Sequence, residues 1–117
     1  MSLESDKSQV VVAISASIDA GEQPERTMLR DAVRLLLAQL AAQNPGRSVE
    51  VRVPPFGAVQ CVEGPRHTRG TPANVVEMDP ITFFLLATGR LEWSQAVSEA
   101  RITASGIRSD ISSLFPV

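Results

Sequence analysis

The stretch Val49–Pro80, VEVRVPPFGAVQCVEGPRHTRGTPANVVEMDP, contains three of the strands that we expect in this 117-residue chain. Valine alternates with charged residues over positions 49–53, which predicts a half-buried β-strand with one wet face. The two prolines that follow end this strand, because proline has no N–H to donate to a sheet ladder. We expect a second strand over residues 56–62, antiparallel to the first, and a third over residues 74–78.

A polar loop, residues 63–73, joins the second and third predicted strands, and its glycines and prolines are typical of a loop or wide hairpin connection. It gathers Arg66, His67 and Arg69, and His67 is the only histidine in the chain. Because arginine presents a fork of donors to carboxylates and phosphates, these residues are candidates for contact with an anion. The alternative is that the arginines pair with nearby carboxylates and only fix the loop.

The first half of the chain is predicted to be helical. Leucine and valine recur at helical spacing over residues 25–43, and Asn-Pro-Gly ends the pattern at residue 46. Residues 8–20 favour a second helix because Gly21 follows them, although their run of three valines leaves a strand as the alternative. We expect residues 1–7 to be disordered.

The second half is predicted to contain two short helices and a strand. Asp79 and Pro80 are a cap and a first helical residue, so a helix should run from there to about Thr88. A shorter helix is expected over residues 91–100. A strand with Ile102 and Ala104 facing inward follows over residues 101–105, and a last turn begins at Asp110.

Composition indicates one soluble domain, residues 1–117. The formal charge of −2 gives no basic face for nucleic acid, and the single cysteine excludes an internal disulfide. No apolar run approaches the ~20 residues that cross a bilayer. The polar, acidic N-terminus lacks the features of a signal peptide, so we expect a cytoplasmic protein.

Few residues suit catalysis. A Cys61–His67 pair could serve as nucleophile and base, but a thiol in the middle of a strand is more often buried and inert. One cysteine and one histidine are too few for zinc, so we expect no metal. Because the chain offers no catalytic constellation, we also expect no cofactor and no enzyme activity. Glu63 and Glu77 could face each other as an acid–base pair, although solvated strand ends are the commoner outcome.

Gln60 shares a face of the second predicted strand with Phe56, Ala58 and Val62. It could therefore be a buried amide with local partners or a side chain that orients a ligand beside a cavity.

The motif RVPPFGAVQCVEGPRHTRGTPANVVEMDP, followed by DPITFFLLATGRLEWSQAV and RITASG, closely resembles the small sterol-carrier-protein-like proteins of actinobacteria. The resemblance covers roughly residues 25–117. It implies an α+β fold with a curved, mostly antiparallel sheet of four to five strands, helices on one face, and an apolar cavity between them. No catalytic residue set can be carried over from this family.

The resemblance also implies a function. Relatives carry lipids or fatty acyl groups, or form the second domain of mycothiol-dependent enzymes beside a DinB-like helical bundle. The leading hypothesis is a non-enzymatic carrier that binds an apolar small molecule without inserting into a membrane. An accessory role for a DinB-like partner and a protein-interaction module are the alternatives. The candidate ligand-binding residues are Phe56, Gln60, Arg66, His67, Arg69, Phe83 and Trp93.

Overall fold

The computed structural model describes residues 3–64 and 74–117, with side chains from residue 9 onward in the first segment. Within these residues, helices and strands form an α+β fold, as the sequence predicts. The elements are α1 (Leu3–Asp19), α2 (Arg26–Gln43), β1 (Val49–Val53), β2 (Gly57–Cys61), β3 (Val75–Met78), α3 (Pro80–Ala87), α4 (Trp93–Ser98), β4 (Ile102–Ser105) and a 3-10 turn (Ser112–Leu114).

The four described strands form one mixed sheet in the order β2-β1-β3-β4. β2 is antiparallel to β1, with Val49 opposite Cys61, and β4 is antiparallel to β3. β3 runs parallel to β1, with Val51 opposite Val76. Two of the three pairings are therefore antiparallel, which agrees with the mostly antiparallel sheet that the resemblance implies.

One face of the sheet packs against helices, and the other, which we call the open face, carries no helix among the described residues. The three valines of β1 are fully buried, whereas Glu50 and Arg52 point to the open face and form an ion pair of 2.6 Å. Register places Cys61 and Val59 on the covered face, and Gln60 and Ala58 on the open one, opposite Glu50 and Arg52. The predicted apolar environment of Gln60 was therefore wrong, because pairing with β1 sets which face of β2 meets the helices.

α1 is a helix, which settles the alternative left open for residues 8–20, and it begins at Leu3, within the segment expected to be disordered. It packs on α2, where Glu25 caps the first turn by accepting from Thr27 N and Met28 N, each at 2.9 Å. The apolar stripe of α2 faces the core, as predicted. Its buried members are Leu29, Ala32, Val33, Leu36, Leu37 and Leu40.

α3 lies in the middle of the protein. Asp79 accepts from Thr82 N at 3.1 Å and Pro80 is the first helical residue, as predicted. Phe83 and Phe84 are both fully buried, and buried side chains occur around most of this helix. A helix that is apolar on nearly every side is typical of a core position.

The far edge of the sheet is less covered than the sequence suggested. Ala104, predicted to face inward, is exposed, and on α4 Val97 is 52% exposed. β4 is an edge strand on which only Ile102 is partly buried, because the helices that cover β1 do not reach it.

No helix among the described residues is long and apolar enough to cross a membrane.

Candidate functional site

Phe56 packs beneath the first turn of α2. The guanidinium carbon of Arg26 lies 5.3 Å from the centre of its ring, a cation–π arrangement. The backbone oxygen of Phe56 accepts a hydrogen bond from Arg34 Nε at 2.8 Å. The ring borders a groove of about 370 Å³ between α2 and the start of α3. These contacts give Phe56 a clear structural role at the end of the sheet.

Gln60 lies on the open face of the sheet, away from the helices. Its side chain is exposed, and Oε1 accepts a hydrogen bond from Arg47 Nε at 3.0 Å. The structure therefore does not bring Gln60 together with Phe56 in one apolar pocket.

Phe83 and Trp93 come together through a third aromatic ring. Phe115 meets Phe83 edge to face, with centroids 6.2 Å apart and planes at 81°. Its ring also stacks on Trp93, with centroids 6.1 Å apart and planes at 20°. Phe83 is fully buried, whereas Trp93 is half-buried and reaches the surface. The cluster therefore connects the core to a surface groove.

That groove, which we call the aromatic groove, has a volume of about 490 Å³. Its apolar wall is formed by Leu86, Leu91, Trp93 and Phe115. Ser94 and Ser112 add hydroxyl groups, and Glu92 and Asp110 add carboxylates. A backbone N–H of Ser112 donates to Asp110 Oδ1 at 3.1 Å and holds the pKa of Asp110 below its ordinary value of 3.8.

A second concavity, which we call the apolar groove, runs between α1 and α2 and has a volume of about 450 Å³. The C-terminal residues close one end, where Val117 N donates to Ala87 O at 2.9 Å. Val12 is 67% exposed. The apolar lining consists of Val11, Val12, Leu35, Leu36, Ala87 and Val117. Pro116 borders both grooves, so they adjoin each other.

The family model described as bacterial SCP ortholog matches residues 25–117. The chain belongs to this family of bacterial sterol-carrier-protein orthologues. The match includes the whole sheet and every helix except α1. A search of curated proteins found no match. In this sterol-carrier orthologue, the apolar groove therefore lies between a helix that precedes the matched region and helices inside it.

Cys61 offers little reactivity. Its side chain is fully buried on the covered face of the sheet, and burial raises the pKa of the thiol above its ordinary value of 9.0. A protonated, buried thiol is a weak nucleophile.

The loop residues Arg66, His67 and Arg69 lie outside the described residues, so their proposed anion contact stays a prediction. Among the described side chains, no three metal-binding residues cluster closely enough to hold an ion.

Sequence reasoning missed the apolar groove and the role of Phe115. A signal for the groove was present, because Val11 and Val12 are too apolar for a fully solvated helix turn. Their partners Ala87 and Val117 are more than 70 positions away in the sequence, so no local pattern could pair them. The aromatic groove contains Trp93, one of the ligand-binding candidates from the sequence.

Proposed function

We propose that this protein is a non-enzymatic binding protein for an apolar small molecule, such as the acyl chain of a lipid, and that the ligand lies in the apolar groove. The observation that carries the proposal is the exposure of Val12 in a concavity of about 450 Å³ whose walls are mostly apolar. Small-molecule sites are typically concave, mostly apolar and roughly 300–1,000 Å³ in volume. Membership of the sterol-carrier orthologue family supports the same class of ligand.

The polar groups in the groove favour an apolar occupant. Thr88 already uses its hydroxyl, since Oγ1 donates to Phe84 O at 2.8 Å. Gln39 is exposed and supplies an amide at the rim. An apolar chain in this groove would cover Val12 and remove apolar surface from water, at roughly 25 cal/mol for each Å². Binding would then depend on fit to the valine and leucine walls more than on hydrogen bonds.

The direct test is the binding of a fluorescent fatty-acid analogue by purified protein, together with native mass spectrometry for a lipid that co-purifies. Val12→Asp places a carboxylate in the groove at a position that is already exposed, so the fold should tolerate it. We expect this variant to weaken the binding of the probe at least about tenfold, or ~1.4 kcal/mol.

Val97→Asp is the matched control. Val97 is also an exposed helical valine, but it lies on α4 and does not line the apolar groove. This variant should bind the probe as the parent does. The proposal is rejected if the parent ignores the probe and carries no lipid, or if both aspartate variants bind equally well.

Several finer points remain predictions. Arg66, His67 and Arg69 could contact an anionic head group. Phe56, Gln60, Phe83 and Trp93 do not line the apolar groove, so the ligand contacts predicted for them require a different site. The accessory role beside a DinB-like protein, the interaction-module alternative, cytoplasmic location and actinobacterial origin also stay predictions.

A further inference from the structure

The aromatic groove carries net negative charge. Glu92 and Asp110 line it, and none of the described residues that line it is basic. The neighbouring arginines have other contacts: Arg90 pairs with Asp19 at 2.9 Å, and the Arg108 guanidinium lies over Gly64. The two carboxylates are therefore not neutralised by those side chains.

The carboxylates and the indole are open to a ligand in the groove. Glu92 is exposed at the N-cap position of α4, but its side chain makes no capping hydrogen bond. Asp110 is also exposed and keeps its charge, because the Ser112 N–H stabilises the carboxylate. Trp93 stacks on Phe115 on one side, is half-buried, and remains part of the groove lining.

We propose that the aromatic groove binds a small organic ammonium cation. An ammonium group is attracted to the face of an aromatic ring, and tryptophan is the strongest such partner among the side chains. The negative carboxylates of Glu92 and Asp110 also attract the positive charge of the cation. Leu86 and Leu91 provide apolar surface for its alkyl groups. The groove of about 490 Å³ holds a molecule of the size of choline with room to spare. This inference does not depend on a ligand in the apolar groove, because its probe has no acyl chain.

The test uses the indole of Trp93. It is the only tryptophan in the chain, so its indole N–H gives one unambiguous NMR cross-peak. Choline is titrated against this signal, and 3,3-dimethylbutan-1-ol, the neutral analogue of the same shape, is titrated in parallel. We expect a saturable shift with choline and no saturable shift with the neutral alcohol over the same concentrations.

Two variants test the carboxylates. Glu92→Gln removes one charge at an exposed position, and Asp110→Asn removes the other while keeping a side-chain oxygen that can accept from Ser112 N. Each should weaken choline binding about two- to fivefold, the usual range for an exposed ion pair. Glu22→Gln, at an exposed position in the linker before α2, is the control and should leave choline binding unchanged.

The proposal is overturned if choline produces no saturable shift, or if the neutral alcohol saturates at the same concentrations. It is also overturned if Glu92→Gln and Asp110→Asn both bind choline as tightly as the Glu22→Gln control.

Discussion

Arg90 donates to both carboxylate oxygens of Asp19, from Nε to Oδ1 and from the NH2 nitrogen to Oδ2, each at 2.9 Å. The two residues are 71 positions apart, so the pair joins the end of α1 to the turn after α3. Such paired hydrogen bonds fix geometry more firmly than a single contact does. The pair therefore ties α1, which forms one wall of the apolar groove, to the region after α3.

Asp19→Asn should loosen α1 without unfolding the protein. The pair is exposed and contributes little to global stability, so the expected effect is faster hydrogen exchange of the α1 amides. Asp31→Asn is the control, because among the described residues Asp31 pairs with its neighbour Arg30 and links no separate elements. If α1 exchanges equally fast in both variants, the Asp19–Arg90 pair does not hold this helix.

Ile14→Ala should destabilise the protein by about 2–4 kcal/mol, measured from the midpoint of urea unfolding. Among residues 9–19, Ile14 is the one fully buried side chain, with 1% of its surface exposed. Its removal leaves a cavity between α1 and α2. Val12→Ala, two positions earlier and mostly exposed, should change the stability by no more than ~0.5 kcal/mol. Equal effects of the two substitutions would show that α1 contributes little packing to the core.

Local patterns predicted the elements of this fold, and long-range contacts set the faces. The leucine stripe of α2 and the Asp79–Pro80 helix start were correct, because spacing and capping depend only on neighbouring residues. Gln60 was assigned to the wrong face, whereas Ala104 lies on the covered face, opposite Val76, but is exposed instead of buried. Their exposure depends on the register between strands and on which strands the helices cover. Neither can be determined from the sequence of one strand.

The same limit applies to the candidate sites. Trp93 could be selected from the sequence because it is a large aromatic residue on a short amphipathic helix. Its stacking partner Phe115 and the acidic Asp110 come from the end of the chain, and only the folded structure places them beside Trp93.

The Glu25 cap predicts a specific pH dependence of stability. Hydrogen bonds from Thr27 N and Met28 N hold the pKa of Glu25 below its ordinary value of 4.5. A carboxyl group whose pKa is lower in the folded state stabilises that state at neutral pH. This contribution is lost as the pH falls below about 4.5 and through the lower folded-state pKa.

Glu25→Gln should therefore lose less stability than the parent between about pH 6 and about pH 3, measured by urea unfolding at each pH. Glu22→Gln, in the same linker, should keep the pH dependence of the parent. A Glu25→Gln profile parallel to that of the parent would exclude the cap as a source of acid sensitivity.

Gly46→Ala and Gly21→Ala should differ strongly, although both glycines have positive φ angles. A Cβ at Gly46 would lie 2.1 Å from the backbone carbonyl of Val62, which cannot move without disturbing the end of β2. A Cβ at Gly21 would meet nothing within 4 Å. We expect Gly21→Ala to cost about 1–2 kcal/mol from backbone conformation alone. Gly46→Ala should cost more than ~3 kcal/mol or prevent folding, and similar thermal shifts in the two variants would contradict the close approach.

Asn74 joins three segments of the chain through a buried amide. Nδ2 donates to Ser48 O at 2.7 Å, Oδ1 accepts from Arg108 N at 2.9 Å, and the side chain is nearly inaccessible to water. Asn74→Ala removes both hydrogen bonds and leaves the carbonyl of the buried Ser48 without its amide donor, at a cost of roughly 1–3 kcal/mol. The expected loss should appear in the urea midpoint with an unchanged slope.

Asn74→Asp separates the two contacts. Aspartate keeps an acceptor for Arg108 N but loses the donor to Ser48 O, so it should also destabilise the protein. Asn44→Ala is the control, because Asn44 is less buried and its amide donates to Leu40 O, within the same helix end. If Asn74→Ala costs no more than Asn44→Ala, the buried amide does not hold these three segments together.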